Sequence, residues 1–275
     1  MRELGQLSGS RAVDGSPAGY PLRRAGGYPP TGADGTADAS PRPTVPFTDR
    51  PMLTVHHLNN SRSQRVLWLL EELGVPYELK RYERDPKTML APPALRGVHP
   101  LGKSPVLTDD GETIAESGAI IEYLLERYDT DSRFAPAPGT PERRRFTYWL
   151  HYAEGSAMPP LLLKLVAMRI AQAPMPFFAK PIARKIAATL QSSFVDPQLK
   201  LHLGYIEESL RATGWFVGDA FSAADVQMSF PLEAAASRAD TVAQLPAIRA
   251  FLERIHARPA YHRALARGGP YDMGR

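Results

Sequence analysis

LGKSPVLTDDGETIAESGAII, residues 101–121, is the stretch whose reading decides the fold. A Ser104-Pro105 bond opens a short apolar run at Val106-Leu107, and Asp109-Asp110-Gly111 supplies a turn. A second short run follows, and Glu116-Ser117 leads into an amphipathic helix reaching Tyr128. Proline lacks the N–H that a ladder needs and is the one residue type for which a cis peptide is cheap, so a strand can begin at 105 on a fixed kink. Asp-Gly between two such runs predicts a hairpin pairing 104–108 with 113–115. The first N–H groups of the helix that follows have no internal partners and attract a carboxylate. The stretch thus reads as strand, turn, strand and helix, with a small-anion site made largely of backbone.

Working outward, 52–57 alternates as a strand, and 63–73 (SQRVLWLLEEL) is a helix with Val66, Leu67, Leu69, Leu70 and Leu73 on its apolar stripe. Gly74 suits the end of that helix. A second strand over 77–82, reached by a crossover, must run parallel to the first. A short helix is expected at 91–95, giving the order βαβ-α-ββα over 52–132. From 140 to 275 the strand signals stop. Helices are predicted at 141–157, 160–171, 181–191, 198–213, 223–239 and 246–258, with proline recurring near their starts, where it is tolerated. Ser222-Ala-Ala-Asp225 has the form of a capping box and reads as a helix start. The expected fold class is an α/β domain followed by an all-α domain.

Residues 1–51 are rich in Gly, Pro, Ala, Asp and Arg and poor in large apolar side chains, a composition too weak to offset the entropy of ordering. We expect a disordered N-terminal extension there, with Met52 as an alternative translation start. The full chain has 275 residues, 43% hydrophobic and 23% charged, and a net charge of +4 without any Lys/Arg block. A nucleic-acid partner is therefore not expected. It has no cysteine, which excludes disulfides, thiolate zinc sites and any protein thiol nucleophile. No apolar run reaches spanning length and no signal-type apolar segment follows the N-terminus, so a cytoplasmic location is expected.

Four segments carry a family resemblance: NNSRSQRVLWLLEELGVPYEL (59–79), HPLGKSPVL (99–107), ESGAIIEYL (116–124) and FSAADVQMSFPLEA (221–234). In this order and spacing the chain, from about 52 to 271, resembles the glutathione S-transferase family, most of all bacterial and fungal members with an SRSQR-type first helix. The resemblance implies a thioredoxin-like N-terminal domain that binds glutathione, and an all-helical C-terminal domain. It implies glutathione as substrate, no metal, and conjugation of the thiol to small hydrophobic electrophiles. Reduction of organic hydroperoxides would need the same thiolate. A noncatalytic transferase-like scaffold is the alternative.

A thiol of pKa about 8.5 is only a few per cent ionised at pH 7. Lowering that value by two units takes about 2.7 kcal/mol. One hydrogen bond to a charged group supplies about 1.5–3 kcal/mol, and a helix N-terminus roughly 0.3–1. A single hydroxyl at the start of the first helix nearly suffices. Serine-type members place it four residues before an arginine, and Ser61 stands so before Arg65. Ser61 is thus the expected thiolate donor, with Asn60 as rival and helix capping by Ser61 or Ser63 as the plainer role. By the same resemblance Ser104, beside a structural Pro105, presents backbone to the cysteinyl part. Glu116 then takes the γ-glutamyl ammonium, Ser117 its carboxylate, and Lys103 and His99 the glycine carboxylate.

The electrophile pocket is expected between the domains, with Tyr148, Tyr152, Met158, Leu162 and Phe230 as lining residues that serve equally well as core. The segment 173–194 could cover that pocket, touch a second subunit, or lie on lipid; its few charges make the membrane role the weakest of the three. Family analogy implies a homodimer.

Overall fold

A computed structural model describes residues 53–238, 240–269 and 271. The expectations for 1–51, for Met52 and for Ala239 lie outside the described residues. The sheet begins with β1 (Thr54–Leu58) and continues, after α1 (Ser63–Leu73), with β2 (Glu78–Tyr82), β3 (Val106–Asp109) and β4 (Glu112–Ala115). Its spatial order is β2-β1-β3-β4, with β1 and β2 parallel and the other pairs antiparallel. A single 3₁₀ turn, Pro93–Gly97, stands where a short helix was expected, and α2 (Ser117–Tyr128) closes the unit.

The local signals act as chemistry requires. Gly74 ends α1 in the left-handed region, its N–H bonded to the Leu70 carbonyl. Asp110 and Gly111 both have positive φ (52° and 81°) between paired Asp109 and Glu112, the geometry that Asp-Gly permits in a two-residue hairpin. The Ser104-Pro105 peptide is cis. Helix α1 is buried on nearly every side, from Ser63 to Leu70 and again at Leu73, because the sheet covers one face and helices the other.

After Ala115 the described residues contain no strand. Helix α3 (Pro141–Tyr152) runs through a π turn, Ala153–Ala157, straight into α4 (Met158–Gln172). Likewise α5 (Lys180–Leu190) passes through Gln191–Val195 into α6 (Asp196–Thr213). Two separate helices were expected in each place, because Pro159-Pro160 and Pro197 read as starts. Here the missing N–H groups fall just after a widened turn whose bonds skip one residue further, so the helix continues past the ring.

Helix α7 (Ala223–Arg238) lies at the centre, buried from Ala223 to Ala235. Asp225 holds its start: the carboxylate accepts from Ser222 N (2.7 Å), Ser222 Oγ (2.9 Å) and Phe216 N (2.9 Å). Burial pushes this carboxyl up to about 6 in spite of those donors. The chain ends in α8 (Pro246–His256) and α9 (Pro259–Gly268), where only a helix to 258 was expected. Pro259 forces Arg258 into an extended conformation (ψ 131°), which breaks the helix; the short segment that follows is amphipathic, but its buried face is mostly small residues that read weakly as apolar. Its buried residues are Ala260, Tyr261, Ala264 and Gly268, and it packs against α1. A Cβ on Gly268 would stand 2.7 Å from Gln64 Oε1 and 2.9 Å from Leu67 Cδ1, so a larger residue would have to push both buried side chains aside. Arg258 to Glu72 and Arg263 to Glu71 latch the same two helices. One continuous core joins sheet and helices, with the Trp68 ring against Phe221 and Tyr261.

Candidate functional site

Two adjoining cavities open beside the cis-proline strand. The first, about 250 Å³, is lined by His99, Lys103, Ser104, Pro105, Glu116 and Ser117, together with Arg62 and Glu154. The second, about 450 Å³, takes in Asn60 and Ser61 from the β1–α1 loop and Met158, Leu162 and Phe230 from α4 and α7. Arg62, Lys103 and Ser104 border both.

The Ser104 hydroxyl is committed to the fold. It donates to the His56 carbonyl (2.9 Å) and accepts from Leu58 N (3.2 Å), so its side chain ties β3 to β1 two residues beyond Val106. The backbone at Ser104 is what remains to meet a ligand. At the other end of this cavity Glu116 is exposed with φ 72°, and Ser117, 3% exposed, opens α2. Ser117 Oγ accepts from Arg65 Nη2 at 2.9 Å.

Arg65 organises this end. Only 1% exposed, it bonds the Gln227 carbonyl (2.6 Å), Ser117 Oγ and Glu154 Oε1 (2.6 Å). Glu154, on the π turn after α3, also receives Arg62 Nε on both oxygens at 2.9 Å. Burial opposes ionisation of Glu154, but Arg65 and Arg62 outweigh it and hold the carboxyl below its usual range. Sequence reading used Arg65 only as a spacing mark and missed Glu154 and Arg62. The one available signal was an acidic residue in the weakly patterned AEGSA segment, and widened turns of this kind often sit at functional sites.

The β1–α1 loop carries a different arrangement. Ser61 Oγ lies 2.7 Å from Ser63 Oγ, which lies 2.8 Å from His57 Nδ1. Ser61 Oγ also accepts weakly from Ser63 N (3.3 Å), while Arg62, at the cap position of α1, makes no side-chain cap bond. His57 is 3% exposed; burial pushes its pKa down to about 4, with a bond to the Gly268 backbone opposing and Arg81 assisting. Donation from Nε2 to that carbonyl leaves Nδ1 of neutral His57 as an acceptor. Ser63 then donates to His57, and Ser61 to Ser63. Asn60, beside Ser61, has φ 48°, and its carbonyl accepts from Arg84.

Tyr148 and Tyr152 are not among the residues lining either cavity. Tyr148 is 45% exposed and packs with Trp149, Tyr152 and Tyr205, while Tyr152 Oη pairs with His202 Nδ1 at 2.6 Å. The connection from α4 to α5 exposes Phe177 and Phe178, and neither lines the cleft. No described helix is long and apolar enough to cross a membrane. Among the described residues no group of three or more His, Asp or Glu is placed to hold a metal ion.

Comparison with known proteins agrees with this geometry. Residues 61–127 match the model of the glutathione S-transferase N-terminal domain, and 175–265 that of the C-terminal domain. The chain is 38% identical over 212 residues to glutathione S-transferase 3 of Schizosaccharomyces pombe, covering 76% of this chain and 85% of the relative. It is 35% identical over 219 residues to glutathione S-transferase 1 of Saccharomyces cerevisiae, covering 77% and 93%. A crystal structure of a glutathione S-transferase from Actinobacillus pleuropneumoniae superposes with a TM-score of 0.67 at 36% identity, covering 82% of this chain and 96% of that one. Its motifs, its thioredoxin-like sheet with a helical second half, and these relatives agree: the chain belongs to the glutathione S-transferase family.

Proposed function

We propose that this protein binds glutathione in the first cavity, ionises its thiol, and transfers the sulfur to a small hydrophobic electrophile held in the second. The observation that carries this reading is the shared border: Ser104, which would pair with the cysteinyl backbone, lines both cavities, and Ser61 lines the second beside it. On this reading Glu116 takes the γ-glutamyl ammonium, Ser117 its carboxylate, and Lys103 and His99 the glycine carboxylate.

Ser61 is the proposed thiolate donor. To serve, its hydroxyl must leave Ser63, a neutral hydrogen bond worth about 1 kcal/mol, for a charged one worth about 1.5–3. The exchange is favourable, but by only about 1 kcal/mol, so Ser61 alone falls short of the roughly 2.7 kcal/mol for a two-unit shift. Asn60 and the N-terminus of α1 supply the balance. Reduction of organic hydroperoxides draws on the same thiolate. A cytoplasmic homodimer completes the proposal, and native mass measurement tests the assembly.

Glutathione affinity and conjugation of 1-chloro-2,4-dinitrobenzene test the assignment. In Ser61→Ala we expect turnover to fall on the order of tenfold with glutathione binding kept, the mark of an interaction made to the thiolate. Loss in Asn60→Ala alone hands the role to Asn60. A wild-type protein that binds no glutathione would be a scaffold.

A further inference from the structure

The second cavity joins an apolar wall to an excess of positive charge. Leu58, Leu90, Met158, Leu162 and Phe230 form the wall, and Arg62, Arg84, Lys103 and Arg169 reach its edge, with no Asp or Glu among the lining residues. Arg62 is paired with Glu154, whose carboxylate it shares with Arg65. Lys103 is assigned above to the glycine carboxylate. Arg84 and Arg169 are left, and among the described residues neither forms an ion pair.

Arg84 is held in place without a counter-ion. Its guanidinium donates to the carbonyls of Asn59 (3.2 Å), Met89 (3.0 Å) and Asn60 (3.4 Å). Asp85, next in sequence, spends its carboxylate on its own loop, accepting from Lys87 N, Thr88 N and Thr88 Oγ1. Half-buried Arg84 is made less basic by desolvation, and then by Arg169 and Arg62. Two guanidinium groups facing one cleft repel each other, and an anion between them relieves the repulsion and gains charge-assisted hydrogen bonds. Arg84 is half-buried, while Arg169 is exposed at the rim of the cavity.

We infer that the second substrate is itself an anion: a small apolar electrophile bearing a carboxylate, its body against Met158, Leu162 and Phe230 and its charge between Arg84 and Arg169. This rests on the transferase reading above and specifies its substrate class. For an aryl halide of that class, the glutathione thiolate forms the C–S bond, the C–Cl bond breaks, and chloride leaves with the electron pair. The thiol proton passes to solvent.

The test compares 4-chloro-3,5-dinitrobenzoate with its uncharged carboxamide, each rate divided by the uncatalysed rate with glutathione. Arg84 also clamps the 59–60 loop, so Arg169 is the variant of choice. Wild type should favour the benzoate by about tenfold in kcat/KM, and salt at about 0.5 M should compress that ratio. The ratio should approach one in Arg169→Gln and recover partly in Arg169→Lys. It should hold in Lys185→Gln, which removes the same charge from α5 outside this cavity. A wild-type ratio near one, or an unchanged ratio in Arg169→Gln, overturns the inference. If neither compound is conjugated, the transferase reading fails on its own. Calorimetric binding of 3,5-dinitrobenzoate against 3,5-dinitrobenzamide then decides anion preference by the same ratios.

Discussion

The two ends of the cleft are built on opposite principles. At the Glu116 end a fully buried arginine is held by fixed partners at both Nη groups, while its Nε has none: Arg65 meets Glu154, Ser117 and the Gln227 carbonyl, and Arg62 shares the same Glu154 carboxylate. Around Ser61 the hydrogen-bonded groups are themselves neutral, a chain of hydroxyls leading to an uncharged His57, with the cations of the second cavity at its edge. A charged peptide terminus is held best by fixed, already paired charges that need not reorganise. A thiol, by contrast, needs a proton donor whose direction can change as charge develops, and a hydroxyl chain provides one at small cost. Rigidity at one end and a reversible proton at the other is the division that the following measurements can break.

The largest effect is expected at the charged end. Glu154→Ala leaves Arg65, 1% exposed, without a carboxylate, and should destabilise the fold by about 3–5 kcal/mol in urea unfolding. Glu154→Gln keeps the acceptor at Oε1 but loses the second one, and should recover part of that. A loss below about 1 kcal/mol for Glu154→Ala would mean that this end is not held by charge.

At the neutral end, acid should act through His57. Its folded pKa, about 4, lies below the ordinary histidine value of 6.5, so the folded state favours the uncharged ring. The stability this gives is complete above pH 6.5 and is lost as pH falls towards 4, a difference on the order of 3 kcal/mol. His56 and His202, also lowered mainly by burial, add the same sign. Asp225, raised to about 6, has the opposite sign: its carboxyl favours the protonated form, so stability falls as pH rises from 3.8 through 6. The informative quantity is therefore the difference between wild type and His57→Gln in melting temperature across this window. Parallel curves would rule out a neutral, buried His57.

The smallest effect concerns the direction of the hydroxyl chain. Ser63→Ala removes the acceptor that holds the Ser61 proton, so the bound glutathione thiol should become more acidic by up to about one unit. Thiolate absorbance of the complex against pH reads this directly. A thiol made less acidic would show that the chain runs from His57 outward.

Much of the fold was legible in the sequence because its signals are local. Proline at 105 marks the cis strand start, Asp110-Gly111 the hairpin, and Gly74 the helix end, each through the conformation of one or two residues. The long helices were not, since Pro159, Pro160 and Pro197 signal a start whether or not a widened turn carries the helix past them. That turn also adds one residue, which swings the helix face by about 100°. Tyr148 and Tyr152 before it face Trp149, Tyr205 and His202, and Met158 and Leu162 after it face the cleft. The site followed the same division. His99, Lys103, Ser104, Pro105, Glu116 and Ser117 stand close in sequence and came together in one cavity.

By itself the sequence determined the order of elements, the cis-proline strand beside a helix start, and, with no cysteine, a chemistry that must borrow its thiol. The tertiary structure alone decided who faces whom: Arg65 with Glu154, 89 residues apart, Ser104 with β1, His57 with Gly268, and Arg84 with Arg169. Backbone conformation is dictated by neighbours along the chain, whereas Coulomb and hydrogen-bond energies depend on distance through space, which only the packed helices set.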